Sequence, residues 1–207
     1  MNLDARLQAG LTELGLELDE AARGRLLDYL GLLSKWNQVY NLTAIHEPER
    51  MLSHHLLDSL AVLPYVESDR LLDVGSGAGL PGIPLAVARP ALAVTLLEPS
   101  HKKAAFLRQA VIELGLGNVE TVQARAQDWR PAQPFPRIIS RALGDLVDFV
   151  RLTDPLLAAG GRWLAMKGVR PDAEIGALEG ARVVREIRLR VPMLAAKRHL
   201  LILERCA

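Results

Sequence analysis

The chain has 207 residues, half of them hydrophobic, and a formal net charge of +1. This length suits one sizeable domain, and the hydrophobic share predicts a packed core rather than disorder. The single cysteine, Cys206, excludes an intramolecular disulfide and a cysteine-rich zinc site. No apolar run is long enough to cross a bilayer and no N-terminal apolar run follows a basic start, so we expect a cytoplasmic protein without a membrane anchor.

The charges are spread unevenly along the chain. Residues 1–69 hold 5 Lys and Arg against 11 Asp and Glu, whereas residues 70–207 hold 20 against 13. A basic carboxyl-terminal part suggests an acidic partner, with nucleic acid the leading candidate. Scattered, solvated arginines explain the same charge balance equally well, so charge alone leaves both interpretations open.

The first third of the chain has the spacing of amphipathic helices. Apolar residues recur with helical periodicity over 2–14 and about 19–35, and a further helix is predicted over about 48–62. We interpret residues 1–66 as a helical extension that packs as a cap on a core formed by residues 67–207. The two parts are predicted to make one domain.

Between these helices, residues 36–43 are rich in Asn and aromatic residues and are predicted to be irregular. Local fixation of a loop and a contact with RNA are about equally favoured for this segment. In the following helix, His54 and Asp58 are four residues apart and therefore share a face. A metal site would need more ligands than these two, so we predict no metal.

From residue 70 the pattern changes to alternating strands and helices, which predicts an α/β fold with a doubly wound, mostly parallel sheet. The last two strands have no long helix between them and predict a hairpin that adds an antiparallel strand. A class I methyltransferase ends in this way, whereas a plain dinucleotide-binding fold usually does not. The predicted strands cover 70–74, 92–97, 118–123, 136–140, 161–167, 182–190 and 199–205, and the helices cover about 81–89, 100–115, 145–158 and 171–179.

A glycine-rich turn follows the first of these strands, within residues 71–82. Such a turn at the carboxyl end of a strand forms a cradle for a small molecule. The segment fits the dinucleotide pattern G-x-G-x-x-G, but the glycine next to the strand is Gly75, and counting from it the third position holds Leu80. An acid, Asp73, ends the strand, where an unpaired charge is expensive to bury. The acid-x-Gly-x-Gly-x-Gly run favours motif I of S-adenosylmethionine-dependent methyltransferases over NAD binding, although Asp73 alone is also explained as a turn cap.

Further polar residues follow the next strands. Glu98 ends the second strand, where a carboxylate can accept hydrogen bonds from both ribose hydroxyls of an adenosyl group or of NAD. Arg141 ends the fourth strand, where it can bind a phosphate, a base edge or a cofactor carboxylate, or form a structural ion pair. The chain lacks the Asn/Asp-Pro-Pro-aromatic run of many amino-group methyltransferases and a cysteine for attack on a pyrimidine. A ring nitrogen with a free lone pair needs neither device, because its methylation requires mainly alignment.

Together these segments resemble the glucose-inhibited division protein B family, bacterial methyltransferases that modify guanine N7 in small-subunit (16S) ribosomal RNA. The resemblance covers nearly the whole chain. It rests on Trp36-Asn37 with Asn41-Leu42-Thr43, His55-Leu56-Leu57-Asp58-Ser59, Asp73 to Pro84, Ser140-Arg141-Ala142, Lys167-Gly168 and Arg198-His199-Leu200. It implies a class I methyltransferase fold and S-adenosylmethionine as cofactor. It also implies rRNA or the small ribosomal subunit as partner, and we expect a monomer.

The resemblance also implies roles for particular residues. The implied cofactor-binding residues are Asp73, Gly75, Gly77, Gly79, Leu80, Glu98, Ala126, Gln127 and Arg141. Catalytic roles are implied for Arg141, Asp58 and His55, with Asp58 or Asp73 as candidates to stabilise the positive charge of the methylated ring. The RNA-facing candidates are Asn41, Lys102, Lys103, Arg108, Lys167, Lys197 and Arg198. Three alternatives remain: a methyltransferase for protein or a small molecule, an NAD-dependent oxidoreductase, and a non-catalytic RNA-binding protein on the same fold.

Overall fold

The structure, a computed structural model, describes residues 2–141 and 144–206. Its strands are β1 (Arg70–Val74), β2 (Ala93–Leu97), β3 (Val119–Val122), β4 (Phe135–Arg141), β5 (Leu157–Lys167), β6 (Ala181–Leu189) and β7 (Arg198–Arg205). They form one sheet in the order β3-β2-β1-β4-β5-β7-β6. Strands β1 to β5 are parallel, and β7 runs antiparallel to both of its neighbours. The predicted α/β class and the antiparallel last strand are confirmed.

Helices precede the sheet and cover both of its faces. They are α1 (Leu3–Glu13), α2 (Glu20–Tyr40), α3 (Pro48–Met51), α4 (Asp58–Leu60), α5 (Gly82–Ala88), α6 (His101–Glu113), α7 (Leu146–Thr153) and α8 (Asp172–Gly176). A π-helical segment, Leu52–Leu57, joins α3 to α4, and 3-10 turns occupy Leu63–Tyr65 and Asp154–Leu156. Asp19 caps the start of α2, because its Oδ1 accepts a hydrogen bond of 2.7 Å from the Ala22 amide. Within the described residues no helix is long and apolar enough to span a bilayer.

Several predicted boundaries are wrong. The strand predicted over 161–167 begins four residues earlier, and the helix predicted over about 171–179 ends at Gly176. Helix α2 does not stop at 35 but continues to Tyr40, because Trp36 packs on Tyr40 one turn later and Asn41 ends the helix in the left-handed conformation at φ 50°. The helix predicted over 145–158 ends at Thr153, and β5 already begins at Leu157. Pro155 prevents an α-helix from continuing there.

The core has a part on each face of the sheet. On one face, the apolar sides of α1 and α2 pack with the π-helical segment, α5 and α6 around residues such as Leu26, Leu33 and Phe106. Gly10 of α1 permits this approach, since a Cβ there would lie 2.6 Å from Leu57 Cδ1. On the other face, α7 packs Phe149 against Trp163 of β5 and their neighbours. The N-terminal helices are thereby placed over the carboxyl edge of the sheet, where the predicted site residues lie.

Candidate cofactor and RNA site

The glycine-rich turn after β1 is held in a conformation that requires glycine. Gly75, Gly77 and Gly79 have φ of 68°, 58° and 87°, in the left-handed region that residues with a Cβ avoid. Gly82, at the start of α5, has an ordinary φ but no room, because a Cβ there would lie 2.7 Å from Asp73 Oδ2. The turn therefore presents bare backbone to the space above the sheet.

Asp73 lies beneath this turn and is fully buried. Its Oδ2 accepts a hydrogen bond of 2.9 Å from the Gly82 amide, and its Oδ1 is buried without a hydrogen-bond partner among the described residues. Burial raises the pKa of this carboxyl to about 7, against the lowering effect of the Gly82 amide and Arg141. In this position Asp73 joins the strand to the start of α5, which is the contact expected of a turn cap.

Tyr29 of α2 holds the turn from the other side. Its hydroxyl donates a hydrogen bond of 2.6 Å to the Ala78 carbonyl oxygen, and the side chain is fully buried, which raises its pKa. Sequence reasoning missed this residue. The available signal was a tyrosine among the leucines on the apolar face of α2, because a buried hydroxyl requires a polar partner.

Glu98 links the turn to the end of β2. Its Oε2 accepts a hydrogen bond of 2.9 Å from the Gly77 amide, and its Oε1 accepts one of 2.8 Å from the Ser100 amide. The side chain is buried. Each carboxylate oxygen has two acceptor positions, so both oxygens can still accept a hydroxyl. The predicted ribose-binding acid is thus fixed in place with acceptor capacity to spare.

A cavity of about 480 Å³ opens beside these residues at the carboxyl ends of β1, β2 and β3. Its walls are largely apolar and include bare backbone. They are formed by Val74, Gly75, Leu97, Pro99, Ser100, Ala124, Arg125, Ala126, Gln127 and Leu152. Of the predicted cofactor residues, Gly75, Ala126 and Gln127 line it, while Leu80 is buried in the core. A larger cavity of about 670 Å³ lies at the amino ends of the strands, and none of the predicted site residues lines it.

The residues present fit an adenosyl group. The cavity offers apolar walls for a planar base and backbone groups from the turn after β3. Glu98, bound to the glycine turn that borders the cavity, supplies the acceptors that ribose hydroxyls require. Asp73 Oδ1, a buried oxygen without a hydrogen-bond partner among the described residues, lies beneath the turn next to this site.

A second group of residues surrounds Asp58, which is almost fully buried at the start of α4. Its Oδ2 lies 3.1 Å from Arg141 Nη1, and its Oδ1 lies 2.9 Å from Arg198 Nε. Arg141 also donates a hydrogen bond of 2.8 Å to the His54 carbonyl oxygen. Because β7 is antiparallel, Arg198 at its start reaches the same edge of the sheet as Arg141 at the end of β4. Ala142, predicted as part of the same motif, lies outside the described residues.

This cluster carries more positive than negative charge. Two guanidinium groups share one carboxylate, and each remains about one fifth exposed. A guanidinium has five N–H donors, of which only some are used here. The cluster can therefore bind an anionic or oxygen-rich group that approaches the carboxyl edge of the sheet.

His55 is buried against the segment that follows α2. Its Nε2 lies 3.0 Å from Thr43 Oγ1, and the Thr43 amide donates a hydrogen bond of 2.8 Å to Asn37 Oδ1. Burial, together with the positive charge of Arg141, lowers the pKa of His55 to about 4. The neutral ring fixes residues 37–43 in place, and this arrangement favours a structural function for His55. Its predicted catalytic role stays a prediction.

The residues predicted to face RNA lie in different surroundings. Asn41, Lys102, Arg108 and Lys197 are exposed and Lys103 is half-buried. Lys167 Nζ instead lies 2.8 Å from Glu174 in an ion pair that is largely shielded from solvent, and Arg198 binds Asp58. The structure therefore brings Arg198 into the Asp58 cluster rather than onto an open surface. No group of three or more His, Cys, Asp or Glu side chains within residues 2–141 and 144–206 is placed to hold a metal ion.

The sheet order, the glycine turn and the acid after β2 define a class I methyltransferase fold. A solved structure that shares it is the O-methyltransferase TomG from Streptomyces achromogenes, which is involved in tomaymycin synthesis and was crystallised in complex with SAM. The similarity covers 100% of both chains with a TM-score of 0.59 and 18% sequence identity. At this identity the likeness supports the fold alone.

Sequence comparison is more specific. Residues 23–201 match the model of the GidB family, described as rRNA small subunit methyltransferase G. The chain is 56% identical over 201 residues to the ribosomal RNA small subunit methyltransferase G of Laribacter hongkongensis, covering 97% of each chain. It is 52% identical over 213 residues to the protein of the same name from Nitrosospira multiformis, covering 99% of each. The chain belongs to the GidB family. The resemblance predicted from the motifs is thereby confirmed, and the nicotinamide alternative is not favoured.

Proposed function

We propose that this protein is an rRNA methyltransferase that transfers a methyl group from S-adenosylmethionine to N7 of a guanine in small-subunit (16S) ribosomal RNA. The observation that carries this proposal is the juxtaposition of the two sites at one edge of the sheet. The cavity lined by Gly75 of the glycine turn lies at the ends of β1 to β3, beside the segment in which Glu98 binds the Gly77 amide. The Asp58 cluster lies at the end of β4 and the start of β7. Family membership supports the same activity.

The cofactor is bound by the glycine turn, the cavity beside it and Glu98. Gly75, Ala126 and Gln127 bind the adenosyl group, Glu98 accepts hydrogen bonds from the ribose hydroxyls, and Gly77, Gly79 and Leu80 give the turn its shape. Asp73 and Tyr29 hold the turn in place through hydrogen bonds with the Gly82 amide and the Ala78 carbonyl oxygen. S-adenosylmethionine, when bound, supplies an electrophilic methyl group. The protein excludes water around it and fixes its direction.

On the substrate side, guanine N7 carries no proton and has a free lone pair, so the reaction requires no general base. Alignment of the base is the main task. Arg141 and Arg198 have free N–H groups with which they can hold guanine O6 or a flanking phosphate. Methylation adds positive charge to the ring. Because Asp58 is already shared by two guanidinium groups, it acts in this proposal as a positioning residue rather than as a free counter-charge.

Several further properties belong to the proposal. The substrate is rRNA itself or the small ribosomal subunit, the protein acts as a monomer in the cytoplasm, and residues 1–207 form a single domain with 1–66 as its helical extension. No metal and no covalent intermediate take part. The exposed residues Lys102, Arg108, Lys197 and Asn41, together with the half-buried Lys103, contribute to RNA binding.

The proposal is tested with Arg141→Ala. Transfer of labelled methyl from S-adenosylmethionine to small ribosomal subunits should fall at least about tenfold, because the target is held less well. Cofactor affinity and thermal unfolding are measured on the same preparation. Unchanged transfer by a folded variant would remove Arg141 from the site. Binding of NAD in place of S-adenosylmethionine by the wild-type protein would overturn the activity itself.

A further inference from the structure

The end of α2 carries an aromatic ring that is open to solvent. Tyr40, the last residue of this helix, is 42% exposed, and its neighbour Val39 is 70% exposed. The rings of Tyr40 and Trp36 lie one helical turn apart, with centroids separated by 5.2 Å and planes inclined by 32°. Tyr40 is thus supported by another aromatic ring, while 42% of its surface remains exposed to solvent.

The support beneath Tyr40 is rigid. The Trp36 ring meets Phe106 of α6 edge-on, with centroids 5.6 Å apart, and Phe106 is completely buried in the core. Trp36 itself is half-buried. Three rings therefore run from the core to the surface, and Tyr40 is the outermost of them. A ring fixed in this way loses little conformational entropy when a flat ligand stacks on it.

Two lysines lie on α6 one turn before Phe106. Lys103 and Lys102 precede Phe106 by three and four residues on α6, so they lie on the same side of that helix, one turn nearer its start. Neither lysine forms an ion pair in the part of the chain that the structure describes. Tyr40 and the two lysines are connected through Trp36 and Phe106. Proteins bind single-stranded nucleic acid with exposed aromatic rings and unpaired cations on a common surface.

The segment that follows Tyr40 is connected to the proposed reaction site by short contacts. The Thr43 amide donates to Asn37 Oδ1, and Thr43 Oγ1 lies 3.0 Å from His55 Nε2. The residue before His55 provides the carbonyl oxygen that binds Arg141. The end of α2 is thus linked to Arg141 through Thr43, His55 and His54, and these contacts fix it relative to the Asp58 cluster.

We propose that Tyr40 is a stacking site for an unpaired nucleobase of the substrate RNA that flanks the methylated guanine, with Lys102 and Lys103 binding the adjoining phosphates. The inference rests on the proposed function and adds a subsite to it. Every base has a flat face, so such a platform tolerates sequence while fixing the position of the strand. An aromatic ring alone would suit a protein partner equally well, and the adjoining lysines favour RNA.

The test compares Tyr40→Leu with Tyr40→Trp, which keeps a stacking surface. The control is Ile112→Ala, which alters an exposed apolar residue on a different helix, α6 (72% exposed). The measurements are KM for small ribosomal subunits, affinity for an rRNA fragment by filter binding, and cofactor affinity by calorimetry. We expect Tyr40→Leu to raise KM and weaken RNA binding about tenfold. Tyr40→Trp and Ile112→Ala should match the wild type, and cofactor affinity should be the same for all.

Equal KM and equal RNA affinity for Tyr40→Leu and wild type would overturn the stacking role. The exposed ring would then be better explained as a contact for a protein partner. Loss of cofactor binding in Tyr40→Leu would likewise overturn the stacking role, because the effect would then be one on the fold. A wild-type protein that transfers methyl groups to another substrate would refute the proposed function and, with it, this subsite. A wild-type protein that binds the rRNA fragment but transfers no methyl group would refute only the activity, and the binding comparison would still decide the role of Tyr40.

Discussion

Asp58 and Arg198 are 140 residues apart in the chain, yet Arg198 Nε lies 2.9 Å from Asp58 Oδ1. The contact joins the helical extension to the antiparallel strand at the carboxyl edge of the sheet. Because Asp58 also binds Arg141 through its other oxygen, one buried carboxylate sets the relative position of two cations from different strands, β4 and β7. This arrangement would be lost if either the extension or the final hairpin were displaced.

Asp58→Asn should therefore affect both arginines. The amide keeps the size of the side chain but loses the charge, and we expect methyl transfer to fall at least about tenfold because Arg141 and Arg198 are no longer fixed. Loss of charge-assisted hydrogen bonds should lower the free energy of unfolding by roughly 2 kcal/mol. Asp148→Asn is the control, since its ion pair with Arg151 is more than half exposed and contributes little. Full transfer by Asp58→Asn would show that the arginines are positioned by other contacts.

Glu98→Ala should weaken S-adenosylmethionine binding by about tenfold or more, because it removes acceptors for the ribose hydroxyls and releases the Gly77 amide. Isothermal calorimetry measures this directly. Glu120→Ala, on the exposed side of β3, serves as the matched control and should bind as the wild type does. Equal affinities of Glu98→Ala and Glu120→Ala would contradict the ribose role.

Because Asp73 is buried, we expect it to make the protein less stable as pH rises, which is the opposite of the usual effect of a carboxyl group. Its folded-state pKa is raised from 3.8 to about 7, so between these values the folded protein keeps a proton that the unfolded chain has released. Stability contributed by Asp73 is then lost as pH rises through this window. The difference in Tm between wild type and Asp73→Asn should be at least about 2 °C more favourable to the wild type at pH 5 than at pH 8.

Comparison with the variant cancels the other titrating groups, because they are the same in both proteins. Thermal unfolding is followed without cofactor, at both pH values and at constant ionic strength. A Tm difference that is independent of pH would mean that Asp73 is already ionised at pH 5 in the folded protein.

The features that sequence predicted well are those encoded within a few neighbouring residues. The glycine turn, the acid Glu98 after β2 and the antiparallel hairpin all follow from local spacing, and the structure places each as expected. The Tyr29–Ala78 hydrogen bond and the Asp58–Arg198 pair were not predictable, because their partners are 49 and 140 residues apart. The end of α2 was misjudged because Asn-rich, aromatic sequence favours a loop, whereas packing of Trp36 on Tyr40 extends the helix.

Mapping the methylated atom tests the proposed reaction most directly. Small ribosomal subunits from a strain lacking the enzyme are incubated with the protein and labelled S-adenosylmethionine, and the 16S rRNA is then cleaved at N7-methylguanine. We predict label at a single guanine and cleavage at that position. Label at another atom, or no label while cofactor binding is retained, would contradict the proposed reaction.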